Sequence, residues 1–211
     1  MLGTLAPLLR DRWIALVERE HEPDIPTGAY VLDVGCGQHK RRGAVGIDRL
    51  ADTDADVLHE LNAFPYPFDD NTFDAVVARH VIEHLDEPLV VMAEFHRITR
   101  PGGSVFIVTP HFSSPTSWID PTHKHHLAAH SFDYLMDGTP WNFYSEVRYT
   151  VIRRRVTLGM AQGPRGRVLP LLRLSGFEAL INRHLDGFER WWAFTLPLGN
   201  RDLIMSMRVV K

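Results

Sequence analysis

A glycine turn between two short apolar runs constrains the fold of this chain more than any other feature. Residues 30–34 have the composition of a buried strand and lead into Gly35-Cys36-Gly37, and a second apolar run follows at residues 44–48. Asp33 lies near the end of the first run, and Asp48 ends the second. Ligands of open α/β sheets bind at the carboxyl ends of the strands, where the strand order reverses. The pattern therefore predicts an α/β fold with a nucleoside-binding crevice.

The composition of the turn favours S-adenosylmethionine over a dinucleotide. A dinucleotide fingerprint needs a third glycine for close helix packing and directs a helix N-terminus at a pyrophosphate. Here the turn continues into Gln38-His39-Lys40, and Asp33 would repel a pyrophosphate. The ammonium and sulfonium groups of S-adenosylmethionine are compatible with that acid. An NAD-dependent oxidoreductase is the less favoured enzyme alternative.

Five motifs in order resemble those of class I S-adenosylmethionine-dependent methyltransferases, of the type 11 methyltransferase domain. The resemblance extends from about residue 29 to residue 111. It implies a Rossmann-like, mostly parallel seven-stranded sheet with helices on both faces and an antiparallel C-terminal edge. It also implies S-adenosylmethionine as the cofactor and methyl transfer as the activity. The motifs are VLDVGCG, VGID, FDDNTFD, VIEHL and RPGG, beginning at residues 31, 45, 68, 81 and 100.

The same resemblance assigns cofactor-binding residues. Asp33, through the glycine turn, is expected to hold the methionine ammonium, and Asp48 to accept hydrogen bonds from the ribose hydroxyls. Asn62 is expected to accept from the adenine amino group, where the family often has an acid. The expected set is Asp33, Gly35, Cys36, Gly37, Asp48, Leu61, Asn62, Arg79 and His80.

Composition is typical of a one-domain enzyme from a reducing compartment. The chain has 211 residues, 45% of them hydrophobic, and one cysteine, which excludes an internal disulfide. A formal net charge of −3 provides no basic field for nucleic acid. Neither a signal peptide nor an apolar run long enough to span a membrane is evident. We therefore expect a cytoplasmic protein with a small-molecule acceptor, no nucleic-acid partner and no stable membrane insertion; a homodimer is left open.

The predicted organisation is a single domain over residues 1–211. Apolar periodicity predicts helices at residues 5–20 and 86–99. The predicted strands are residues 30–34, 44–48, 56–59, 73–79, 104–109, 144–158 and 202–210. The predicted parts are an N-terminal helix in 1–24, a cofactor-binding half at 25–111, an acceptor lid at 112–142, and C-terminal strands with an apolar helical insert at 143–211.

The connections after the first and second predicted strands are unusually short. Each leaves about ten residues or fewer, whereas a parallel crossover usually takes a dozen or more and contains a helix. We expect both crossover helices to be shortened or lost. One flank of the sheet must then be covered by the helix at residues 5–20 or by a partner subunit.

A histidine-rich segment follows the fifth predicted strand. Five of the twelve histidines lie within residues 111–130. A neutral imidazole is suited to remove a proton at neutral pH, so a base for methylation of oxygen is expected among them. The predicted catalytic residues are His111, His123 and His126.

Three alternatives remain open for the second half of the chain. Asp120 and His123 with His125 or His126 could hold a metal, although no metal site is predicted because no helical ligand spacing is present. The histidines could instead stabilise the loop through hydrogen bonds. The apolar stretch at residues 168–194 could be a core helix, a subunit interface or a lid over an apolar acceptor. The whole protein could also be a catalytically idle cofactor-binding subunit of a partner.

Overall fold

The computed structural model describes residues 25–158, 175–193 and 201–211. These residues form a seven-stranded sheet with the order β3-β2-β1-β4-β5-β7-β6. Strands β1 to β5 are parallel, and β7 runs antiparallel to both of its neighbours. The predicted Rossmann-like sheet with an antiparallel C-terminal edge is confirmed. The strands are β1 (Val31–Val34), β2 (Val45–Asp48), β3 (Val57–Leu58), β4 (Phe73–Arg79), β5 (Thr99–Pro110), β6 (Arg148–Leu158) and β7 (Arg201–Val210).

Short helices pack against the sheet in the described part of the chain, and the core residues that they contribute belong to the cluster on one face. The longest, α1, places Val91, Met92, Phe95 and Ile98 in the main core cluster, where they meet side chains of β1, β4 and β5. The helices are α1 (Pro88–Ile98), α2 (Pro115–Ile119), α3 (Phe177–Arg183) and α4 (Leu185–Gly187), with a π-helical turn at Phe188–Trp192 and 3₁₀ turns at Ile82–His84, Asp133–Leu135 and Asn142–Tyr144.

The Pro101-Gly102-Gly103 segment lies inside a strand rather than between a helix and a strand. The predicted helix at 86–99 is observed at Pro88–Ile98, and β5 follows it without a break. Gly102 has φ +76°, and a Cβ on Gly103 would lie 2.7 Å from the Asp74 carbonyl oxygen. The register of β4 against β5 shifts at this point. The glycines thus permit a bulge that lets the chain enter the sheet early.

The short connections lack helices, as the spacing predicted. Residues 35–44 and 49–56 are all described, and none of them is helical. Lys40 and Asp56 join the two connections, since Lys40 Nζ lies 2.8 Å from both carboxylate oxygens of Asp56. Asp56 also accepts a hydrogen bond of 2.7 Å from the Gly46 backbone N–H. Polar contacts therefore hold the two helix-free connections together.

Several predictions about the ends of the chain are not tested. The helix at residues 5–20 and its cover of the flank lie outside the described residues, as do residues 168–174 of the apolar stretch. The single domain, its internal boundaries and the homodimer stay predictions. Among the described residues, no helix has both the length and the apolar character needed to cross a membrane.

Candidate active site

The glycine turn brings backbone close to the segment that follows β4. Gly35 and Gly37 have φ values of +62° and +53°, which favour glycine. A Cβ on Gly35 would lie 2.5 Å from Val81 Cγ2, so no larger residue fits without displacement. Cys36 is buried, and burial together with Asp33 and Asp48 raises the pKa of its thiol to about 11. The thiol is therefore protonated at neutral pH and unsuited to act as a nucleophile.

Asp33 links the turn to the end of β4. Its side chain is buried, with 1% of its surface exposed. Oδ2 accepts a hydrogen bond of 2.7 Å from the Arg41 N–H and one of 3.1 Å from Arg79 Nη2. Burial raises the pKa of this carboxyl group, and the contacts with Arg41 and Arg79 oppose the increase. Two predicted cofactor residues, Asp33 and Arg79, therefore lie in direct contact.

Asp48 holds the other side of the turn. Its Oδ2 accepts a hydrogen bond of 3.0 Å from the Gly37 N–H, and its Oδ1 accepts one of 3.0 Å from the Leu50 N–H. The residue is 8% exposed at the end of β2. A carboxylate has about four lone-pair positions, so both oxygens retain acceptor capacity.

The residues predicted to meet adenine follow β3. Leu61 is buried, and its carbonyl oxygen accepts a hydrogen bond of 2.9 Å from Tyr66 Oη. Asn62 Oδ1 accepts a hydrogen bond of 2.9 Å from the Asp86 N–H. Glu60, which the sequence-based assignment passed over, is exposed beside them. Its position as an acid just after β3 is the sequence signal that could have identified it as a candidate for the adenine amino group.

His80 has a strained backbone at the carboxyl end of β4. Its φ is +53°, in the left-handed region that few residues other than glycine adopt. The backbone is held there by a hydrogen bond of 2.8 Å from its N–H to the Val108 carbonyl oxygen. The side chain is 50% exposed, with Nδ1 3.6 Å from Glu83 Oε1. Strain of this kind concentrates at functional sites, where surrounding contacts maintain it.

His111 is fully buried at the end of β5. Its Nδ1 lies 2.7 Å from Ser113 Oγ, and its Nε2 lies 2.8 Å from Glu189 Oε1. Glu189, in the π-helical turn, also accepts a hydrogen bond of 2.7 Å from the Ala129 N–H. Burial lowers the pKa of His111, and the hydrogen bond and charge of Glu189 oppose that effect. The sequence-based analysis missed Glu189, because no local pattern connects residues 78 positions apart.

The other two predicted catalytic histidines have different surroundings. His123 Nδ1 lies 3.0 Å from the Ser117 carbonyl oxygen, and Nε2 lies 4.0 Å from Glu83 Oε1. His126 is exposed and stacks on Trp118 with ring centroids 3.5 Å apart, while its Nδ1 lies 2.9 Å from Ser117 Oγ. All three catalytic assignments stay predictions.

The C-terminal helical segment forms an apolar cavity. Ile181, Leu185 and Phe188 join the main core, whereas Trp191 and Trp192 are exposed. Phe188 also lies near His111, with ring centroids 6.2 Å apart. The cavity has a volume of about 430 Å³ and is lined by Phe177, Leu180, Ile181, His184, Gly187, Phe188 and Trp192.

Comparison with known proteins agrees with this geometry. A family model described as "Methyltransferase domain" matches residues 32–107. The chain is similar to the mitochondrial ubiquinone biosynthesis O-methyltransferase of Rattus norvegicus, with 30% identity over 128 residues, 49% of this chain and 37% of that protein. It is also similar to the demethylmenaquinone methyltransferase of Renibacterium salmoninarum, with 42% identity over 97 residues, 45% of this chain and 37% of that protein. The matches thus span little more than a third of these relatives.

Solved structures agree on the fold. A SAM-dependent methyltransferase from Archaeoglobus fulgidus superimposes with a TM-score of 0.60 at 17% identity, covering 93% of each chain. The chain therefore has the class I S-adenosylmethionine-dependent methyltransferase fold, as the sequence predicted. Within that class, residues 32–107 match the model of the methyltransferase domain family.

Proposed function

We propose that this protein binds S-adenosylmethionine at the carboxyl edge of β1, β2 and β4 and transfers the methyl group to an oxygen of a small-molecule acceptor. The observation that carries the proposal is the pair of buried acids beside the glycine turn: Asp48 accepts from the Gly37 N–H, and Asp33, just before the turn, accepts from the Arg41 N–H. Positive φ values in the turn leave room for a ligand to approach the backbone. The carboxylate of Asp33 just before the turn is compatible with a cationic ligand and would repel a pyrophosphate. This disfavours NAD.

The two ends of the cofactor meet different residues in this proposal. The remaining lone pairs of Asp48 accept hydrogen bonds from the ribose hydroxyls. The Asp33–Arg79 pair matches a zwitterionic amino acid, because its carboxylate attracts the ammonium group and its guanidinium attracts the methionine carboxylate. Glu60 or Asn62 accepts from the adenine amino group beside Leu61.

A lid histidine removes the proton of the acceptor hydroxyl. The sulfonium is already an activated leaving group, so the protein mainly aligns the nucleophile, the methyl group and sulfur. Of the three predicted catalytic histidines, His126 is the exposed one and lies against the face of Trp118. His111 has both ring nitrogens in contact with protein groups and is better suited to position the π-helical turn through Glu189.

The acceptor combines a hydroxyl group with an apolar skeleton. The cavity near His111 has a mainly apolar lining and could hold such a skeleton. Two relatives are named for ubiquinone biosynthesis O-methylation and for demethylmenaquinone methylation, which is consistent with acceptors of this chemistry.

Calorimetry tests the cofactor. The protein is titrated with S-adenosylmethionine, with S-adenosylhomocysteine and with NAD. We expect binding of the first two and none of NAD. Binding of NAD without S-adenosylmethionine would overturn the proposal in favour of the oxidoreductase alternative.

Turnover tests the chemistry. The protein is incubated with methyl-labelled cofactor and a panel of hydroxylated apolar acceptors, and the site of label in the product is determined. His126→Ala should lower turnover by about 10²–10⁴-fold with little change in cofactor affinity. His125→Ala is the matched control in the same segment and should leave turnover unchanged. Cofactor binding without transfer to any acceptor would favour the idle-subunit alternative, and unchanged turnover in His126→Ala would reject the assigned base.

A further inference from the structure

Glu83, His84 and His123 form a cluster beside the proposed cofactor site. One ligand atom from each lies within 4.8 Å of the others, and no second group of three such side chains occurs in the described parts of the chain. Glu83 and His84 belong to the 3₁₀ turn after β4, and His123 belongs to the predicted lid. The proposed methyl transfer assigns no role to any of the three.

Glu83 has a buried oxygen without a hydrogen-bond partner, although His80 Nδ1 lies 3.6 Å and His123 Nε2 lies 4.0 Å from it. The residue is 1% exposed, and its Oε2 accepts a hydrogen bond of 3.0 Å from Thr109 Oγ1. Its Oε1 is buried and has no hydrogen-bond partner. Removing an ionised carboxylate from water is costly unless a counter-charge or hydrogen bonds compensate. A cation at Oε1 would supply that compensation.

Both imidazoles have the orientation of metal ligands. His123 Nδ1 lies 3.0 Å from the Ser117 carbonyl oxygen, and His84 Nδ1 lies 3.0 Å from Thr122 Oγ1 and 3.3 Å from the Thr122 carbonyl oxygen. A carbonyl oxygen only accepts, so each Nδ1 must be the donor. In a neutral ring the lone pair is then on Nε2. Metal-binding histidines use the same arrangement, donating one ring N–H to a carbonyl or carboxylate.

The separation of Glu83 and His123 suits a single ion. Two ligands that each lie about 2.0–2.2 Å from a zinc ion can be no more than about 4.4 Å apart. His123 Nε2 lies 4.0 Å from Glu83 Oε1 and 3.8 Å from Asp120 Oδ2. Asp120 is held in place by its Oδ1, which accepts hydrogen bonds of 2.8 and 2.6 Å from the Thr122 N–H and hydroxyl. Asp120 therefore lies beside His123 but outside the group of three.

We propose that Glu83, His84 and His123 bind a divalent transition-metal ion of the Zn²⁺ type. Mixed imidazole and carboxylate donors suit zinc and its neighbours better than magnesium. This ligand set differs from the sequence-based alternative. That alternative used His125 or His126 as ligands. In the structure, His125 Nε2 lies 3.1 Å from the Asp86 carbonyl oxygen and His126 Nδ1 contacts Ser117 Oγ, so both rings have other partners.

The site joins the lid to the cofactor edge. Val81, which contacts the glycine turn, lies two residues before Glu83, and the Glu83 carbonyl oxygen accepts hydrogen bonds from the N–H groups of Lys124 and His125. A bound cation would fix the lid against β4. If the proposed methyl transfer holds, the cation would also act as a Lewis acid on the acceptor hydroxyl and ease loss of its proton.

Metal binding is tested directly on the tag-free, chelator-treated protein. Zn²⁺ is titrated by calorimetry, and Co²⁺ is titrated while its visible absorption is recorded, because those bands report imidazole and carboxylate ligation. We expect one ion per chain, with Mg²⁺ binding more weakly. His84→Ala, His123→Ala and Glu83→Gln should each weaken Zn²⁺ binding by at least about tenfold. His125→Ala is the control and should bind as the wild type does.

Each outcome decides the proposal. No Zn²⁺ binding by the wild type, or wild-type affinity in His84→Ala and His123→Ala, overturns it. Weakened binding in His125→Ala with unchanged binding in His84→Ala overturns this ligand set in favour of the sequence-based alternative. Circular dichroism confirms folding, and Glu83→Gln preserves side-chain shape if an alanine variant unfolds. Titration with S-adenosylmethionine separates the metal site from the proposed function. Zn²⁺ binding without cofactor binding supports the metal site and rejects the methyltransferase. Cofactor binding without Zn²⁺ binding rejects the metal site and leaves the methyltransferase standing.

Discussion

Asp33 is buried in a site where its charge has two partners. Its carboxylate accepts from the Arg41 backbone and from Arg79, and these contacts offset part of the cost of burial. Because the net effect raises the pKa, the ionised group favours folding less than a solvated carboxylate would. Stability from this group is therefore present below the unfolded pKa of about 3.8 and is lost as the pH rises through the folded value.

Replacement of Asp33 separates its contribution to stability from its proposed contribution to cofactor binding. Asp33→Asn keeps an acceptor for the Arg41 N–H and removes the charge, so we expect stability within about 1 kcal/mol of wild type. The variant should bind S-adenosylmethionine at least about tenfold more weakly, because the charge-assisted contact with the ammonium group is lost. Asp33→Ala should show the same weakened binding and should also lose about 2 kcal/mol of stability, since two hydrogen-bond donors lose their acceptor. Urea unfolding and calorimetry measure the two effects; equal cofactor affinity in Asp33→Asn would contradict the assigned role.

His111 should make stability depend on pH. Its pKa is lowered in the folded protein, chiefly by burial, so protonation favours the unfolded state. Stability from neutral His111 is complete above the unfolded pKa of about 6.5 and is lost as the pH falls through the folded value. His111→Gln retains a donor for Glu189 but cannot titrate.

The measurement is urea unfolding at pH 7.5 and pH 5.5. The decrease in stability at the lower pH should be smaller in His111→Gln than in wild type. His96 also has a pKa lowered by burial, so His96→Gln provides the comparison for a half-buried histidine outside the lid. An identical pH dependence of stability in wild type and His111→Gln would show that protonation of His111 does not contribute to the loss of stability at low pH.

Individual side chains were predictable where a local pattern specified them. The glycine turn and its two acids follow from a strand ending in a turn, and the structure places them at one edge. The His111–Glu189 contact and the Asp33–Arg79 pair join positions 78 and 46 residues apart, so periodicity carries no signal for them. Glu83 lies within the VIEHL motif, and its contacts with Thr109 and His123 join it to positions 26 and 40 residues away, which no local pattern predicts.

The connection between β1 and β2 shows how a missing helix is replaced. Length alone predicted that no full helix would fit in residues 35–44. What replaces it was not predictable, because Asp33, Asp48 and Asp56 hold the loop through backbone N–H groups that any sequence would offer. The early start of β5 was not predicted for a related reason: the predicted strand begins at residue 104, whereas Gly102 and Gly103 permit a bulge within a strand that begins at Thr99.

The two glycines of the turn should differ in tolerance to substitution. Both glycines have left-handed backbones, with φ +62° at Gly35 and +53° at Gly37. A methyl group on Gly35 would lie 2.5 Å from Val81, whereas one on Gly37 would meet nothing within 4 Å. Gly37→Ala should therefore cost about 1–2 kcal/mol, the ordinary penalty of a left-handed residue. Gly35→Ala should cost about 1–3 kcal/mol more through overpacking.

A double-mutant cycle isolates the contact with Val81. The free energy of unfolding is measured for Gly35→Ala, Val81→Ala and the double variant. The smaller side chain at residue 81 should relieve part of the penalty of Gly35→Ala but leave that of Gly37→Ala unchanged. Equal penalties for the two glycine substitutions would show that the turn does not pack closely against Val81.

The sheet as a whole couples the proposed cofactor site to global stability. The strands β2, β1 and β4 are consecutive neighbours, and the residues assigned to the cofactor lie at their carboxyl ends. A ligand that bridges these strands binds only the folded sheet, so it stabilises the protein by mass action. At a concentration of about 100 times Kd, S-adenosylmethionine should add about 2.7 kcal/mol. For a chain of this length, that corresponds to an increase in Tm of about 5–11 °C.

Thermal unfolding with and without S-adenosylmethionine checks this coupling. At the same cofactor concentration, Asp48→Ala should show a much smaller increase in Tm, because the ribose hydroxyls lose their acceptor. Asp52→Ala is the matched control, since Asp52 is an exposed acid four residues further along the same connection and should leave the increase intact. NAD should produce no increase in any of the three proteins. An equal increase in Asp48→Ala and Asp52→Ala would mean that the ligand stabilises the sheet from a different edge, because only Asp48 holds the glycine turn.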